Sequence, residues 1–243
     1  LPDGAPFAEP VDFPEISHDG TDPAVRVVSE QPLNVHRPIA LAVLLILTSL
    51  TISGAAIAQS AIAAAVAKPV SLPDITIGSD KAPVTITEYS SMSCPHCAAF
   101  GQNVFPMLRS KYIDTGKVRF VFREFPLDIK AAAASMLARC IGKGDSEKYL
   151  VAVETLFKLQ DLLMTQTRDT LVRVGTMHGL SMPEIATCER DQALLNKLSA
   201  DQQYAVWELQ VNSTPTFFIN GTRLKGSMSF EEFEERIKPL LNE

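Results

Sequence analysis

The chain has 243 residues, a formal charge of −6 and 46% hydrophobic side chains. That is enough apolar material for one good core, in a domain of about 185 residues after export processing. Nothing in it is strongly basic, which excludes nucleic acid as a natural partner. Residues 1–37 hold six prolines, seven acidic and two basic residues and few core formers, so they read as a disordered acidic leader. No methionine precedes Met92, so no reading is built on the first residue.

Residues 38–67 carry no charged side chain. Ile39 to Leu47 is the apolar centre, behind His36 and Arg37. Ala56-Ile57-Ala58 has the A-x-A form of a signal-peptidase site before Gln59. Two readings fit: a cleaved signal peptide, or a membrane anchor through residues 39–58, since the uncharged run exceeds ~20 residues. Thr48, Ser49, Thr51, Ser53 and Gln59 weaken the span and favour cleavage. A buried core helix is a distant third. Both leading readings place the rest of the chain in the periplasm or another extracytoplasmic space, where disulfides persist.

Residues 68–83 read as a Pro-containing linker, within which Ile75-Thr76-Ile77 has the look of an edge strand. Val84 to Tyr89 is β-branched and partly alternating, the pattern of a buried strand. Glu88 stands inside it. A buried carboxylate is costly, so Glu88 either points to solvent at the strand end or has a function. Ser93-Cys94-Pro95-His96-Cys97 follows, and from Ala98 the apolar spacing is helical through Phe100, Val104, Met107 and Leu108. Cys94 thus lies in the turn that opens a helix, and Cys97 in its first turn. Free N–H groups and the positive end of the helix dipole favour a thiolate there. A thiolate attacks disulfides, and a second cysteine two residues on can resolve the mixed disulfide. The alternatives are a structural zinc knuckle or two core thiols. Zinc wants a second C-x-x-C pair, whereas Cys140 and Cys188 stand alone. His96 is either a surface histidine or a source of positive charge for Cys94.

Pro106 is expected to kink the helix. Val118 to Phe122 is the next strand, which the chain leaves from Arg123 to Leu127. Residues 128–211 are mostly helical. Ile129, Ala133, Met136, Leu137 and Cys140 share one face, and Leu150, Val153, Leu156 and Phe157 share another. Ser181-x-x-Glu184 reads as a capping box, and Leu194, Leu198, Ala205 and Leu209 suit a long helix. Trp207 reads as packing. Thr216 to Ile219 returns to strand, Asn220-Gly221 is a hairpin signal, and Thr222 to Lys225 pairs back. Ser229-x-x-Glu232 caps a last helix through Phe233, Ile237 and Leu240.

Cys94-Pro95-His96-Cys97 resembles the active site of the DsbA-type thiol–disulfide oxidoreductases. Lys111 to Val118, Arg123 to Leu127 and Thr214 to Gly221 resemble further blocks of that family, in the same order. The resemblance implies an α/β thioredoxin fold over residues 84–243, with an inserted helical domain at about 128–211. It implies a buried acid at Glu88 that shuttles a proton for Cys97. Thr214-Pro215 is similar to the family's cis-proline loop, where an extended substrate pairs with the Thr214 backbone. Four cysteines are an even set in an exported chain, and similar paired positions in relatives imply a structural disulfide between Cys140 and Cys188.

The resemblance implies no cofactor and no metal. Its partners are reduced exported polypeptides and a membrane quinone-linked reoxidising protein. The motif resembles oxidants that donate disulfides, whereas threonine before the proline resembles the isomerase branch. Those isomerases resemble dimers built through an extra N-terminal domain, for which residues 59–83 leave no room. A monomeric oxidase is therefore expected, with isomerase or reductase second, and a metal or copper carrier using Cys94, Cys97 and His96 as the reading from another class.

Overall fold

The computed structural model describes residues 61–68 and 70–241. The leader at 1–37 and the apolar run at 39–58 lie outside them. Among the described residues no helix is long and apolar enough to cross a membrane.

A five-stranded sheet forms the centre, in the order β1-β3-β2-β4-β5. Its strands are β1 (Ile75–Ile77), β2 (Val84–Ser90), β3 (Val118–Glu124), β4 (Thr216–Ile219) and β5 (Thr222–Lys225). The β2–β3 pair is parallel and the other three pairs are antiparallel. Strand periodicity sorts the side chains between two faces. Val84, Ile86 and Phe217 enter the main core, while Tyr89 and Phe218 enter a second one behind the sheet. Asn220 and Gly221 form the β4–β5 turn, with φ of 45° and 84°. Such a turn needs left-handed backbone at both positions, which Asn-Gly tolerates.

The parallel crossover from β2 to β3 holds α2 (Pro95–Asn103) and α3 (Phe105–Leu108), then one π-helical turn at Arg109–Ile113. The helix breaks at Val104, just before Pro106, as its fixed geometry requires. Phe100 of α2 fixes this layer to the sheet: its ring lies 4.8 Å from Phe217 and 5.7 Å from Phe233. Phe233 belongs to α10 (Phe230–Ile237), whose start is closed by the Ser229–Glu232 capping box.

Six helices are inserted between β3 and β4: α4 (Ile129–Gly142), α5 (Ser146–Lys158), α6 (Gln160–Thr165), α7 (Thr167–Met177), α8 (Met182–Glu189) and α9 (Gln192–Leu209). At the start of α8, Ser181 N donates to the Glu184 carboxylate at 2.8 Å. Three details depart from the sequence reading. Ile129 opens α4 in solvent, 71% exposed, instead of joining the apolar face. Trp207 is 78% exposed, because Ala205 and Leu209 on either side of it turn the buried face of α9 inward. β3 runs on through Arg123 and Glu124, because both buried charges are paired. Arg123 forks onto Asp74 at 2.8 and 3.0 Å, and Arg139 onto Glu124 at 2.5 and 2.7 Å.

The domain also begins earlier than Val84. Leu72 is buried and β1 pairs with β3 at the sheet edge. Before it comes α1, described over residues 61–67, the end of the uncharged 38–67 run. Val66 is buried against Tyr89 and Phe218, and Tyr204 donates its hydroxyl to the Ala65 carbonyl at 2.9 Å. A Cβ on Gly221 would lie 2.3 Å from that of Ala63, so only glycine lets α1 seat there.

Candidate active site

The site begins with the end of β2. Cys94 is the N-cap of α2, with extended backbone at φ −85° and ψ 118°. Pro95 sits in the first helical turn, where a missing N–H costs nothing. The rings of Pro95 and His96 are exposed. Cys97 is fully buried one turn in, and Cys94 retains only 5% exposure. Both are free thiols.

The loop before β4 closes over Cys94. The Thr214–Pro215 peptide is cis, and the Cys94 thiol donates to the Thr214 carbonyl at 3.2 Å. The Thr214 hydroxyl is buried beside the same sulfur. Cys94 is held down to about 5, chiefly by the Cys97 thiol donating to its sulfur. Contact with Thr214 and the backbone N–H groups of Cys97 and His96 add to this against the opposing effect of burial. Burial pushes Cys97 far up, and the neighbouring Cys94 and Glu88 push it further. The two thiols are thus chemically unequal: one is a ready thiolate at neutral pH, the other keeps its proton.

Glu88 lies behind them. It is 2% exposed, on the β2 face shared with Val84 and Ile86. Burial raises its carboxyl to about 8, the Ser90 side chain pulls it back, and the Cys94 charge adds to the rise. One carboxyl oxygen has no partner. Glu88 lines a cavity of about 230 Å³ walled by Phe100, Phe105, Phe120, Phe122 and Phe157.

Cys94, Pro95, His96, Cys97, Glu88, Thr214 and Pro215 thus come together around one sulfur. Cys140 and Cys188 do not: they join α4 to α8 inside the insertion as a disulfide, with Cα atoms 6.1 Å apart. Two sets of polar residues at the loop escaped the sequence reading. Ser91 Oγ lies 3.1 Å from Ser93 Oγ and accepts from Leu127 N at 3.2 Å, bracing the loop against the start of the insertion. Gln160 of α6 donates to the carbonyls of Met92 and Cys94. A serine in a turn and a glutamine at a helix start are common, and periodicity does not separate them from surface residues.

Comparison with known proteins gives a consistent result. A family model described as Thioredoxin matches residues 71–239. A Rickettsia conorii protein named as a protein-disulfide oxidoreductase is 33% identical over 172 residues, 70% of this chain and 61% of the relative. The chain thus spans about three fifths of the length of that relative. Disulfide bond formation protein D of Bacillus subtilis is 25% identical, over 67% of this chain and 74% of its own. Among solved structures, alpha-DsbA1 of Wolbachia pipientis superimposes with a TM-score of 0.62 at 31% identity, covering 71% of this chain and 94% of that one.

Proposed function

The chain belongs to the thioredoxin family and, within it, to the DsbA-type proteins, and on that premise we propose that it is a thiol–disulfide oxidoreductase working through Cys94 and Cys97. The observation that carries the reading is the inequality of the two sulfurs at the start of α2. Cys94 is the thiol held down to about 5 and faces the Thr214 carbonyl, and Cys97 is sealed behind it.

With the pair oxidised, a substrate thiolate attacks the Cys94 sulfur. The Cys94–Cys97 bond breaks and a substrate–Cys94 bond forms. Cys97 leaves as a thiolate and takes up a proton, which Glu88 is placed to supply. A second substrate thiolate then attacks the substrate sulfur of the mixed disulfide, and Cys94 leaves. The substrate loses two electrons and two protons, and the cysteine pair holds both electrons until a reoxidising partner removes them. A membrane quinone-linked protein suits that role. A leaving group that is stable as a thiolate drives the second step, so the low Cys94 value favours the oxidising direction. The Thr214 loop offers its backbone beside the sulfur to an extended substrate. Reduced polypeptides exported to an extracytoplasmic space are the substrates proposed, with the protein acting as a monomer.

Threonine at 214, directly before the cis-proline, supports a second reading, as isomerase or reductase, because that residue resembles the isomerase branch of the family. The equilibrium of the Cys94–Cys97 pair against glutathione separates the two directions. The assignment of the thiols is tested by trapping. Cys97→Ala is expected to accumulate mixed disulfides with a reduced peptide through Cys94, and Cys94→Ala to trap nothing. Equal trapping by both variants removes the assignment.

A further inference from the structure

Gln160 is the first residue of α6, within the insertion. Its side-chain amide donates to two carbonyls of the redox loop, Met92 O at 2.8 Å and Cys94 O at 3.0 Å. The Cys94 carbonyl already accepts the first backbone bond of α2, from Ala98 N at 3.1 Å. A carbonyl has two lone pairs, so the glutamine fills the second without displacing the helix. One amide group thus bridges the Met92–Ser93 and Cys94–Pro95 peptide units and ends on the nucleophile's own residue.

Two physical effects follow. The carbonyl oxygens of Met92 and Cys94 carry partial negative charge close to a sulfur that must carry a full one. An amide NH₂ docked on both brings the positive end of a dipole to the same place. The same bonds fix the backbone of the N-cap residue, and with it the place of the Cys94 sulfur beside the Thr214 loop. The titratable groups facing Cys94 are Cys97 of α2 and Glu88 of β2. The side-chain amide of Gln160 bonds to backbone carbonyls and to neither of them.

We propose that Gln160 is a positioning residue for the redox pair, an arm of the helical insertion that holds the Met92 and Cys94 carbonyls, fixes the Cys94 sulfur against Thr214 and favours its thiolate. The role rests on Cys94 being the reactive thiol, as read above, yet titration of that thiol tests it without any turnover.

A control is built into the fold. Gln102 of α2 donates its own amide to the Phe157 carbonyl of α5 at 3.4 Å. It too ties α2 to the insertion, but two helical turns beyond Cys94. The experiment titrates the thiolate absorbance of the reduced full chain in Gln160→Met, Gln160→Glu and Gln102→Met. Gln160→Met, which keeps the bulk and loses the donors, is expected to raise the Cys94 midpoint by about half a unit, roughly threefold in proton affinity. The glutathione equilibrium should shift about threefold towards the disulfide. Gln160→Glu, isosteric and without donors when ionised, should raise the midpoint at least as far, and it serves if the methionine variant does not fold. Gln102→Met should keep the wild-type midpoint. Wild-type midpoints in the Gln160 variants overturn the proposal, and so does an equal rise in Gln102→Met, which would reduce both glutamines to ordinary helix ties. A normal Cys94 shift in a protein that transfers no disulfides would instead remove the functional reading and leave this one standing.

Discussion

Glu88 shows how much one position in a strand decides. Its parity with Val84 and Ile86 sends it into the core, and burial then raises its carboxyl to about 8. The folded state therefore binds a proton that the unfolded chain, with an ordinary carboxyl, has already released. Stability falls as pH rises from about 5 to about 8 and levels off above, because there both states are ionised. The penalty is on the order of 3 kcal/mol at neutral pH. Glu88→Gln should remove it, so denaturation midpoints of the variant should exceed wild type at pH 8 and converge with it near pH 4. The same variant should slow disulfide exchange at Cys97 and lose the alkaline limb of the pH–rate profile. Identical pH dependence of stability in the two proteins would place Glu88 in water. The strand pattern left this residue open between solvent and core, and the resemblance to the DsbA-type family pointed to the core. Gln160 was not legible, because its partners are backbone carbonyls 68 and 66 residues away, and backbone acceptors leave no mark in a sequence.

At the scale of elements, the insertion is a helical layer joined to the sheet by paired charges and closed by a disulfide. Arg139 of α4 forks onto Glu124 of β3, and Tyr149 of α5 donates to the same carboxylate at 3.0 Å. The Cys140–Cys188 bond closes a sequence separation of 48 residues. On the chain-entropy model that stabilises by about 4 kcal/mol. Cys140→Ala with Cys188→Ala should lower the thermal midpoint accordingly and leave the Cys94 titration unmoved, since neither half of the disulfide reaches the redox loop. A shifted Cys94 midpoint in that double variant would show that the insertion's packing reaches further than its bonds. Four of the six helices, α4, α5, α8 and α9, were legible from period and capping, whereas α6 and α7 were not separated within a mostly helical stretch. The exposure of Ile129 and Trp207 was not legible: a helical pattern specifies a stripe, but the edge of the stripe depends on how far the neighbouring element extends.

For the whole molecule, the boundary of the fold lies where the sequence blurs it. Residues 61–67 belong to an uncharged run that reads as export signal or anchor, yet Val66 is buried behind the sheet and Ala63 sits on Gly221. Hydropathy measures how apolar a segment is and carries no information about which apolar surface it meets, so this seat was invisible beforehand. A chain starting at Lys68 should be less stable than one starting at Gln59 by roughly 2 kcal/mol, the worth of one buried valine with its neighbours. Denaturant midpoints of the two chains test this, and equal midpoints would leave α1 a loosely seated appendage.

The contact between Cys94 and Thr214 spans 120 residues of chain, and the one with Gln160 spans 66. During synthesis the nucleophile therefore emerges long before two of the groups that contact it. A nascent chain that has passed Cys97 but not Gln160 carries the motif without the Gln160 and Thr214 contacts to Cys94. The Thr214 segment, the last of the three to appear, completes the site. The full set of contacts around the sulfur is thus completed only once almost the whole domain is available to fold.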